Sequence, residues 1–504
     1  AFSCLGKTLS FKEVAEKSSQ FTRYLQHCTD LKVGDRIAVQ LPNLLQFPVV
    51  AYGAMQAGLV LVNTNPLYTP REMKHQFTDA GVKAIVILAD LLPQLTSIIE
   101  DTDISTVIAT NAIDFVSPEG HFQSSTSADG QLVHHALNDV LALGARQAPV
   151  SPVNVGLNDT AVLQYTGGTT GLSKGAVLNH KNLLSNAEQS YQRFKHACVE
   201  GEDTYISPLP LYHIYAFLVN LILAASKGAH NVLIPNPRDL DAFVSAIEPH
   251  KFTVFTGINT LFVGLCHHPD FKKLDFSSLN LTMSGGSALT QNAAQLWKQV
   301  TGCNISEGYG LSETSPVLCF NEPGNERLGT IGYALVGTDI QIWDDNNQEV
   351  ERGEEGELVA KGPQVMSGYW QNENATKESI INGYFKTGDV AIHCDDGRFK
   401  IVDRKKDMII VSGFNVYPNE IEDVLSQHQQ IIEAAVVGEV DEHSGEKVCA
   451  YVVLAEGKTL TSEAIVEFCK EQLTGYKVPK KIVFLDELPK STVGKVLRRE
   501  LRAN

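Results

Sequence analysis

The sequence is short of several things that would mark a class at once. Its longest strongly apolar run, AFLVNLILAA from Ala216, is about half the length needed to cross a bilayer and is broken by Asn220, so no transmembrane helix is expected. The opening stretch AFSCLGKTLS has no basic region followed by a long apolar one, and no signal peptide is read there. The nine cysteines are odd in number, scattered, and never fall in a C-x-x-C pair, which favours reduced thiols in the cytoplasm over disulfides or a zinc site. Basic charge is also scarce: 41 Lys and Arg against 58 Asp and Glu give a net charge of −17, which argues against a nucleic-acid partner. No internal repeat of fixed period is present. What remains, 504 residues with 43% apolar and 20% charged composition, is a globular chain too long for one ordinary core.

Against these absences, residues 165–175 stand out. YTGGTTGLSKG carries four glycines, three threonines, a serine and a lysine in eleven positions. Glycines let backbone N–H groups converge on an anion, and hydroxyls with an ammonium add donors, so a phosphate is the expected ligand. The common nucleotide loop G-x-x-x-x-G-K-[ST] does not fit, because Lys174 follows Ser173 and precedes Gly175. The flanks AVLQYT and GAVLNH both read as strands, which predicts strand, loop, strand rather than a loop feeding a helix N-terminus.

Along the chain, residues 1 to about 150 alternate helical stretches with apolar strands, the rhythm of an α/β layer on a largely parallel sheet. Residues 110–158 lack periodicity and read as a long excursion. The α/β rhythm returns from 159 to about 325, with Gly-rich or polar turns after strands, where open sheets place ligands. About 330–403 reads as a β-rich subdomain whose Asp396-Gly397 pair marks a hairpin. The expected organisation is thus an N-terminal domain, 1–403, of parallel-type sheets with helices plus that β-rich subdomain, followed by a small α+β C-terminal domain, 404–504.

Five stretches in order, YTGGTTGLSKG, EGYGLSE (307–313), YFKTGDV (384–390), IVDRKKDMIIVSG (401–413) and STVGK (491–495), resemble the signature motifs of the acyl-adenylate-forming superfamily. That superfamily includes acyl-CoA synthetases, luciferases and peptide-synthetase adenylation domains. The intervening NPLYTPRE, LPLYHIYAF, TGINTLF and GFNVYPNEIEDV are most similar to bacterial long-chain fatty acid CoA ligases. The resemblance spans nearly the whole chain. It implies a mobile C-terminal domain and a two-step reaction: a carboxylate attacks the α-phosphate of ATP, and the CoA thiol then displaces AMP from the acyl-adenylate.

Because carboxylate and ATP are both anionic, such catalysis must position reactants and neutralise charge. By resemblance, Thr166, Gly167, Gly168, Thr169, Thr170 and Lys174 grip the β- and γ-phosphates. Glu313 and Thr169 are the expected Mg²⁺ ligands, Glu313 offering the hard oxygen that this ion prefers. Tyr309 and Gly310, with Gly286 and Ser287 of SGGSAL, line the adenine side. Asp389 accepts from the ribose hydroxyls, and Arg404 contacts the ribose and phosphate region. Lys406 is the hinge, and Lys495 is the catalytic lysine between carboxylate and α-phosphate. His213 closes the acyl pocket. A lone Glu or Lys is ordinarily a solvated surface charge, and only the motif context raises Glu313 and Lys495 above that.

Three functions fit these residues: a CoA ligase, an adenylating module that loads a carrier protein, and a nucleotide binder without activity. Only nine residues follow Lys495, which favours a diffusible thiol. The segment 477–504 holds eight Lys or Arg against three Asp or Glu and is a candidate for the CoA phosphates or a solvated basic face. The expected partners are therefore ATP, CoA and a fatty acid, long-chain by resemblance with medium-chain as the alternative. A fatty substrate implies weak peripheral contact with the inner face of a membrane. A homodimer is the base-rate expectation.

Overall fold

The computed structural model describes residues 1–117, 119–126, 133–166, 173–441, 443–455, 457–491 and 494–502. Among them, four β-sheets organise the chain. The first runs in the order Lys174–Asn179, Thr160–Thr166, Val60–Asn63, Arg36–Gln40, Val82–Leu88, Thr106–Thr110, Val133–Ala136 and Ser125–Thr126. Its interior pairs are parallel, and only the two end pairs are antiparallel. Strands such as AIVIL are apolar without alternation, as parallel strands with both faces covered must be.

Helices cover these faces and start where their capping chemistry directs. Ser10 and Glu13 exchange side-chain and backbone hydrogen bonds in a capping box that opens helix Phe11–Cys28. Thr69 and Glu72 do the same for helix Pro70–Ala80, which stops at Gly81 with φ 60°. Residues 110–158 are less of an excursion than the sequence suggests. They contain helix Leu137–Ala145 and strand Val133–Ala136, which extends the sheet in parallel beside Thr106–Thr110. The helix was masked by its shortness and by the polar residues around it.

The second sheet is parallel through its centre, from Ile305–Gly310 across Leu281–Ser284, Val254–Gly257, Thr204–Ser207 and His230–Leu233 to Phe2–Cys4. The apolar run after Ala216 is a π-helix, Phe217–Ala224, folded into the core, with Asn220 Nδ2 donating to Ser207 Oγ at 2.8 Å. Among the described residues no helix is long and apolar enough to cross a membrane. All nine cysteines are free.

The third sheet is the antiparallel β-rich unit. Tyr384–His393 and Phe399–Arg404 form its hairpin, with Gly397 at φ 85° in the turn. The fourth, built on Ile431–Asp441 and Gly445–Leu454, packs helices Pro418–Ser426 and Ser462–Lys470 over a core of its own that includes Ile421, Leu425, Val436, Ala450 and Ile465. Phe399–Arg404 belongs to the third sheet and Ile409–Val411 to the fourth, so residues 405–408 join the two. The C-terminal unit touches the rest of the chain in several places, Asn419 N–H donating to Asp403 Oδ2 at 2.8 Å among them. Tyr417 Oη donates to Glu355 Oε2 at 2.6 Å, and Gln291 N–H faces Asp423 Oδ1 at 3.4 Å. Gly494 (φ 75°) sits so close to the N-terminal part that a Cβ there would stand 2.4 Å from Ile258 Cδ1.

Candidate functional site

The phosphate-type loop does link two antiparallel strands, with Thr166 paired to Lys174 at its base. Gly167, Gly168, Thr169 and Thr170 lie outside the described residues. A second segment runs beside the outgoing strand: Val177 N–H donates to Gly368 O at 2.9 Å, Trp370 N–H donates to Gly175 O at 2.7 Å, and Ala176 bridges Tyr369. This pairing puts the Tyr369 ring 5.2 Å from the Lys174 ammonium, within cation–π reach. The same tyrosine donates its hydroxyl to Glu313 Oε1 at 2.9 Å.

Glu313 stands on the one-turn 3₁₀ helix Ser312–Thr314, immediately after strand Ile305–Gly310. The turn can be this tight because Gly310 has no side chain; a Cβ there would lie 1.9 Å from Pro316 O. Glu313 is 8% exposed, and its second oxygen has no hydrogen-bond partner among the described residues. Those residues hold no group of three or more His, Cys, Asp or Glu that could bind a metal. One buried carboxylate with an oxygen unpartnered among the described residues, linked through Tyr369 to Lys174, nevertheless fits Mg²⁺, which takes one or two carboxylates and keeps phosphate oxygens and waters as its other ligands.

The residues expected to hold the nucleoside stand on the hairpin of the β-rich unit. Asp389 faces Arg404 directly in the ladder, and Arg404 Nε lies 3.1 Å from Asp389 Oδ1. Tyr309 Oη donates to the other oxygen, Oδ2, at 2.6 Å. Burial, then the Asp389 carboxylate, raises the Tyr309 phenol well above its ordinary range and keeps it a donor. Gly286 adopts φ 84° in an exposed bend, and Gly285 leaves room for the Tyr215 ring, 3.2 Å from where its Cβ would be.

Lys495 enters this cleft from the C-terminal unit on the short bridge Lys490↔Val496, whose turn is closed by Ser491 N–H to Lys495 O at 2.7 Å. Solvent in the cleft still reaches its side chain, but protein on both sides strips away much of its hydration. That desolvation lowers the ammonium to about 8, reinforced by Arg404 and Lys406 and opposed by Asp389 and Glu313. The structure thus brings Lys495 into the electrostatic reach of Glu313, Asp389, Arg404 and Lys406 together. His213 feels the same lysine. Burial first, and Lys495 second, push it down to about 4, so its ring is neutral at physiological pH, with Nδ1 accepting from Tyr215 N–H at 3.3 Å. Burial also lowers the Lys406 ammonium at the joint.

A family model described as AMP-binding enzyme matches residues 1–370, and one described as AMP-binding enzyme C-terminal domain matches residues 420–495. The chain belongs to the AMP-binding enzyme family. A long-chain-fatty-acid–CoA ligase of Escherichia coli O157:H7 is 44% identical over 521 residues, covering 100% of this chain and 91% of that protein. The ligase of the same description from Bacillus subtilis (strain 168) is 36% identical, covering 99% and 91%. Among solved structures, ATP-bound MatB from Rhodopseudomonas palustris superposes with a TM-score of 0.88 at 29% identity, covering 100% of this chain and 95% of that one. The anthranilate CoA ligase AuaEII in complex with anthranoyl-AMP reaches 0.90 at 25% identity, with coverage of 100% and 93%.

Two residues of this AMP-binding enzyme's cleft escaped the sequence reading. Tyr369 acquires its place only through the pairing of 367–370 with 175–177, a contact nearly two hundred residues apart in the chain. Glu307 lies buried in the strand that carries Tyr309, two residues before it, with Leu289 N–H donating to its Oε1 at 3.0 Å as the carboxyl's single partner among the described residues. Burial pushes its carboxyl up to about 8. Its only signal in the sequence was its place as the first residue of EGYGLSE. The basic C-terminal segment also differs from expectation. Lys477, Lys481, Lys490, Arg498 and Arg502 are ion-paired with Glu420, Glu439, Glu433, Glu422 and Asp407, so most of that charge is neutralised within the C-terminal unit.

Proposed function

We propose that this AMP-binding enzyme activates a long-chain fatty acid with ATP and transfers the acyl group to CoA, with Lys495, Glu313, Asp389 and Arg404 as the working groups of the first step. The observation that carries the reading is the convergence of Lys495, from one end of the chain, with three groups of the larger unit. In step one a carboxylate oxygen bonds to the α-phosphorus and the bond to the bridging oxygen breaks, releasing pyrophosphate. Lys495 holds both anions where their charges meet. Lys174 and Thr166 hold the departing phosphates, Asp389 with Arg404 fixes the ribose end, and Glu313 is the protein's ligand to Mg²⁺, which supplies charge neutralisation on the phosphates.

In step two the thiol sulfur bonds to the acyl carbon, the carbon–oxygen bond to AMP breaks, and the thiol proton leaves to solvent. Residues 405–408 connect two units with separate cores, and a turn about Lys406 withdraws Lys495 and presents the exposed Ser412-Gly413 turn instead.

The acyl preference is supported by the apolar segment that begins beside His213. From Ile214 to Ala225 nearly every side chain is buried and apolar, and its far end helps to line an apolar groove of about 550 Å³ with Val14, Tyr52, Met55 and Leu183. An apolar groove of that kind suits a hydrocarbon tail. AMP production with and without CoA across acids of graded length tests the proposal. A maximum at long acids, dependent on CoA, is expected; a maximum at short or aromatic acids overturns the substrate, and no AMP with any acid overturns the reaction.

A further inference from the structure

Helix Pro70–Ala80 carries no residue assigned a role above, yet one of its faces meets both ends of the phosphate-type loop. His75 and Asp79 are four apart and share that face. His75 Nε2 lies 2.8 Å from Ser173 O, the residue immediately before Lys174. A carbonyl only accepts, so the ring carries its proton on Nε2 and donates it there. Asp79 Oδ2 accepts the hydroxyl of Tyr165, the residue immediately before Thr166. The Tyr165 ring can lie across the hairpin to reach it because its ladder partner is Gly175, where a Cβ would stand 3.1 Å from the ring.

The helix is itself held firmly. Gln76 Nε2 donates to Asn63 O at 3.1 Å, tying it to the neighbouring strand. Arg36 closes its C-terminal end through Nε to Ala80 O at 2.7 Å and Nη2 to Gly81 O at 2.8 Å. Trp370 Nε1 donates to Asp79 O at 3.0 Å, joining the brace to the segment that places Tyr369 against Glu313. One rigid helix therefore fixes the entry and exit of the loop and, through Trp370, touches the Mg²⁺ side.

We propose that His75 and Asp79 are positioning residues that set the span between the two ends of the phosphate-binding loop and so place Thr166 and Lys174 for the β- and γ-phosphates. The inference rests on the adenylating reading above. Loop ends held at a fixed separation lose less freedom when phosphate binds, and Lys174 is kept at one distance from Tyr369. The pair touches no reacting atom, so its effect falls on the affinity for ATP and pyrophosphate, and only in the half-reaction that uses them.

The test is ATP–pyrophosphate exchange with a long-chain acid, run beside thioester formation from supplied acyl-AMP and CoA, on the full chain and on His75→Phe, His75→Gln and Asp79→Ala. Phenylalanine keeps a ring without a donor, and glutamine restores an N–H of similar reach. The expected result for His75→Phe and Asp79→Ala is a rise in KM for ATP and for pyrophosphate of about fivefold or more, with thioester formation changed less than about twofold. His75→Gln is expected to return most of the lost affinity. An unchanged KM in His75→Phe, equal loss of both half-reactions, or no rescue by glutamine overturns the inference alone. Absence of exchange in the unaltered protein with any acid overturns the adenylating reading and the inference with it.

Discussion

The hydroxyl of Tyr369 donates to Glu313 Oε1 at 2.9 Å while the face of the same ring lies 5.2 Å from the Lys174 ammonium. One side chain thus touches the proposed Mg²⁺ ligand and the loop lysine, the two groups that must face the same phosphates. Phenylalanine at 369 keeps the ring and removes only the hydrogen bond. A hydrogen bond to a charged group contributes about 1.5 kcal/mol or more, so Tyr369→Phe is expected to lose roughly tenfold in kcat/KM for ATP. Its Mg²⁺ requirement is expected to shift to higher concentration. Initial rates over a grid of ATP and Mg²⁺ check this, and an unchanged Mg²⁺ profile removes the link between Tyr369 and the metal ligand.

Lys495 has the clearest pH signature. Its ammonium is lowered to about 8 from the ordinary 10.5, so the fraction carrying the needed charge falls about tenfold for each pH unit above 8. Acyl-AMP formation is expected to decline along that limb, while thioester formation from supplied acyl-AMP does not share it. Lys495→Ala is expected to lose adenylation about 100- to 1000-fold and to keep the second step. Arginine stays charged throughout, so Lys495→Arg is expected to be slower but to lack the descent. Single-turnover rates between pH 6.5 and roughly pH 9.5 decide it; equal loss of both steps in the alanine variant removes the role.

Glu307 gives a stability prediction whose sign follows from burial. Its carboxyl is at about 8 in the folded chain against 4.5 as the ordinary value. A raised pKa means that the folded state holds a proton the unfolded state releases, so the contribution to stability is complete below pH 4.5 and is lost progressively as pH rises to 8. At pH 7 the loss is about 3 kcal/mol. Glutamine is isosteric and cannot ionise. Its side-chain oxygen still accepts from Leu289 N–H, so Glu307→Gln is expected to gain in Tm over the unaltered protein, with the gap widening from pH 5 to pH 8. A gap independent of pH shows that the carboxyl is not held neutral.

The contrast between Glu307 and Asp389 shows what local sequence carried. The ladder that sets Asp389 opposite Arg404 folds back at Asp396-Gly397, a turn pair visible as such, whereas the two residues themselves were singled out only by the resemblance of their motifs. Thr166 and Lys174 were legible as the base of a hairpin because both flanks are strand-like. Tyr369, His75 and Asp79 were not, since each gains its role from a contact between segments distant in sequence and has no local pattern to announce it. The helix Leu137–Ala145 was hidden for a different reason: at nine residues it is too short for a periodic pattern to rise above its polar surroundings. The fate of the C-terminal lysines and arginines also depended on tertiary contacts, because their acidic partners lie between Asp407 and Glu439, well before them in the chain.

The hinge reading makes a prediction complementary to that for Lys495, because it places the loss in the second step and spares the first. Lys406 sits in the joint between Phe399–Arg404 and Ile409–Val411, where Lys405 N–H donates to Gly388 O at 3.0 Å and Asp407 N–H to Arg404 O at 2.9 Å. No backbone hydrogen bond from Lys406 N–H is present among the described residues, so proline at 406 removes no hydrogen-bond donor that the joint uses. What proline removes is freedom: φ becomes fixed near −65° and the preceding residue is confined to extended conformations. On the proposed mechanism, the orientation in which Gly494 lies against Ile258 and Lys495 enters the cleft is the one that adenylation uses. If residue 406 carries the rotation, Lys406→Pro is expected to keep acyl-AMP formation within a few-fold of the unaltered rate and to lose about a hundredfold in thioester formation. Lys406→Ala, which leaves the backbone free, is expected to show neither effect strongly. Single-turnover measurement of each half-reaction checks both variants, and a proline variant that slows the two steps equally places the rotation elsewhere in the joint.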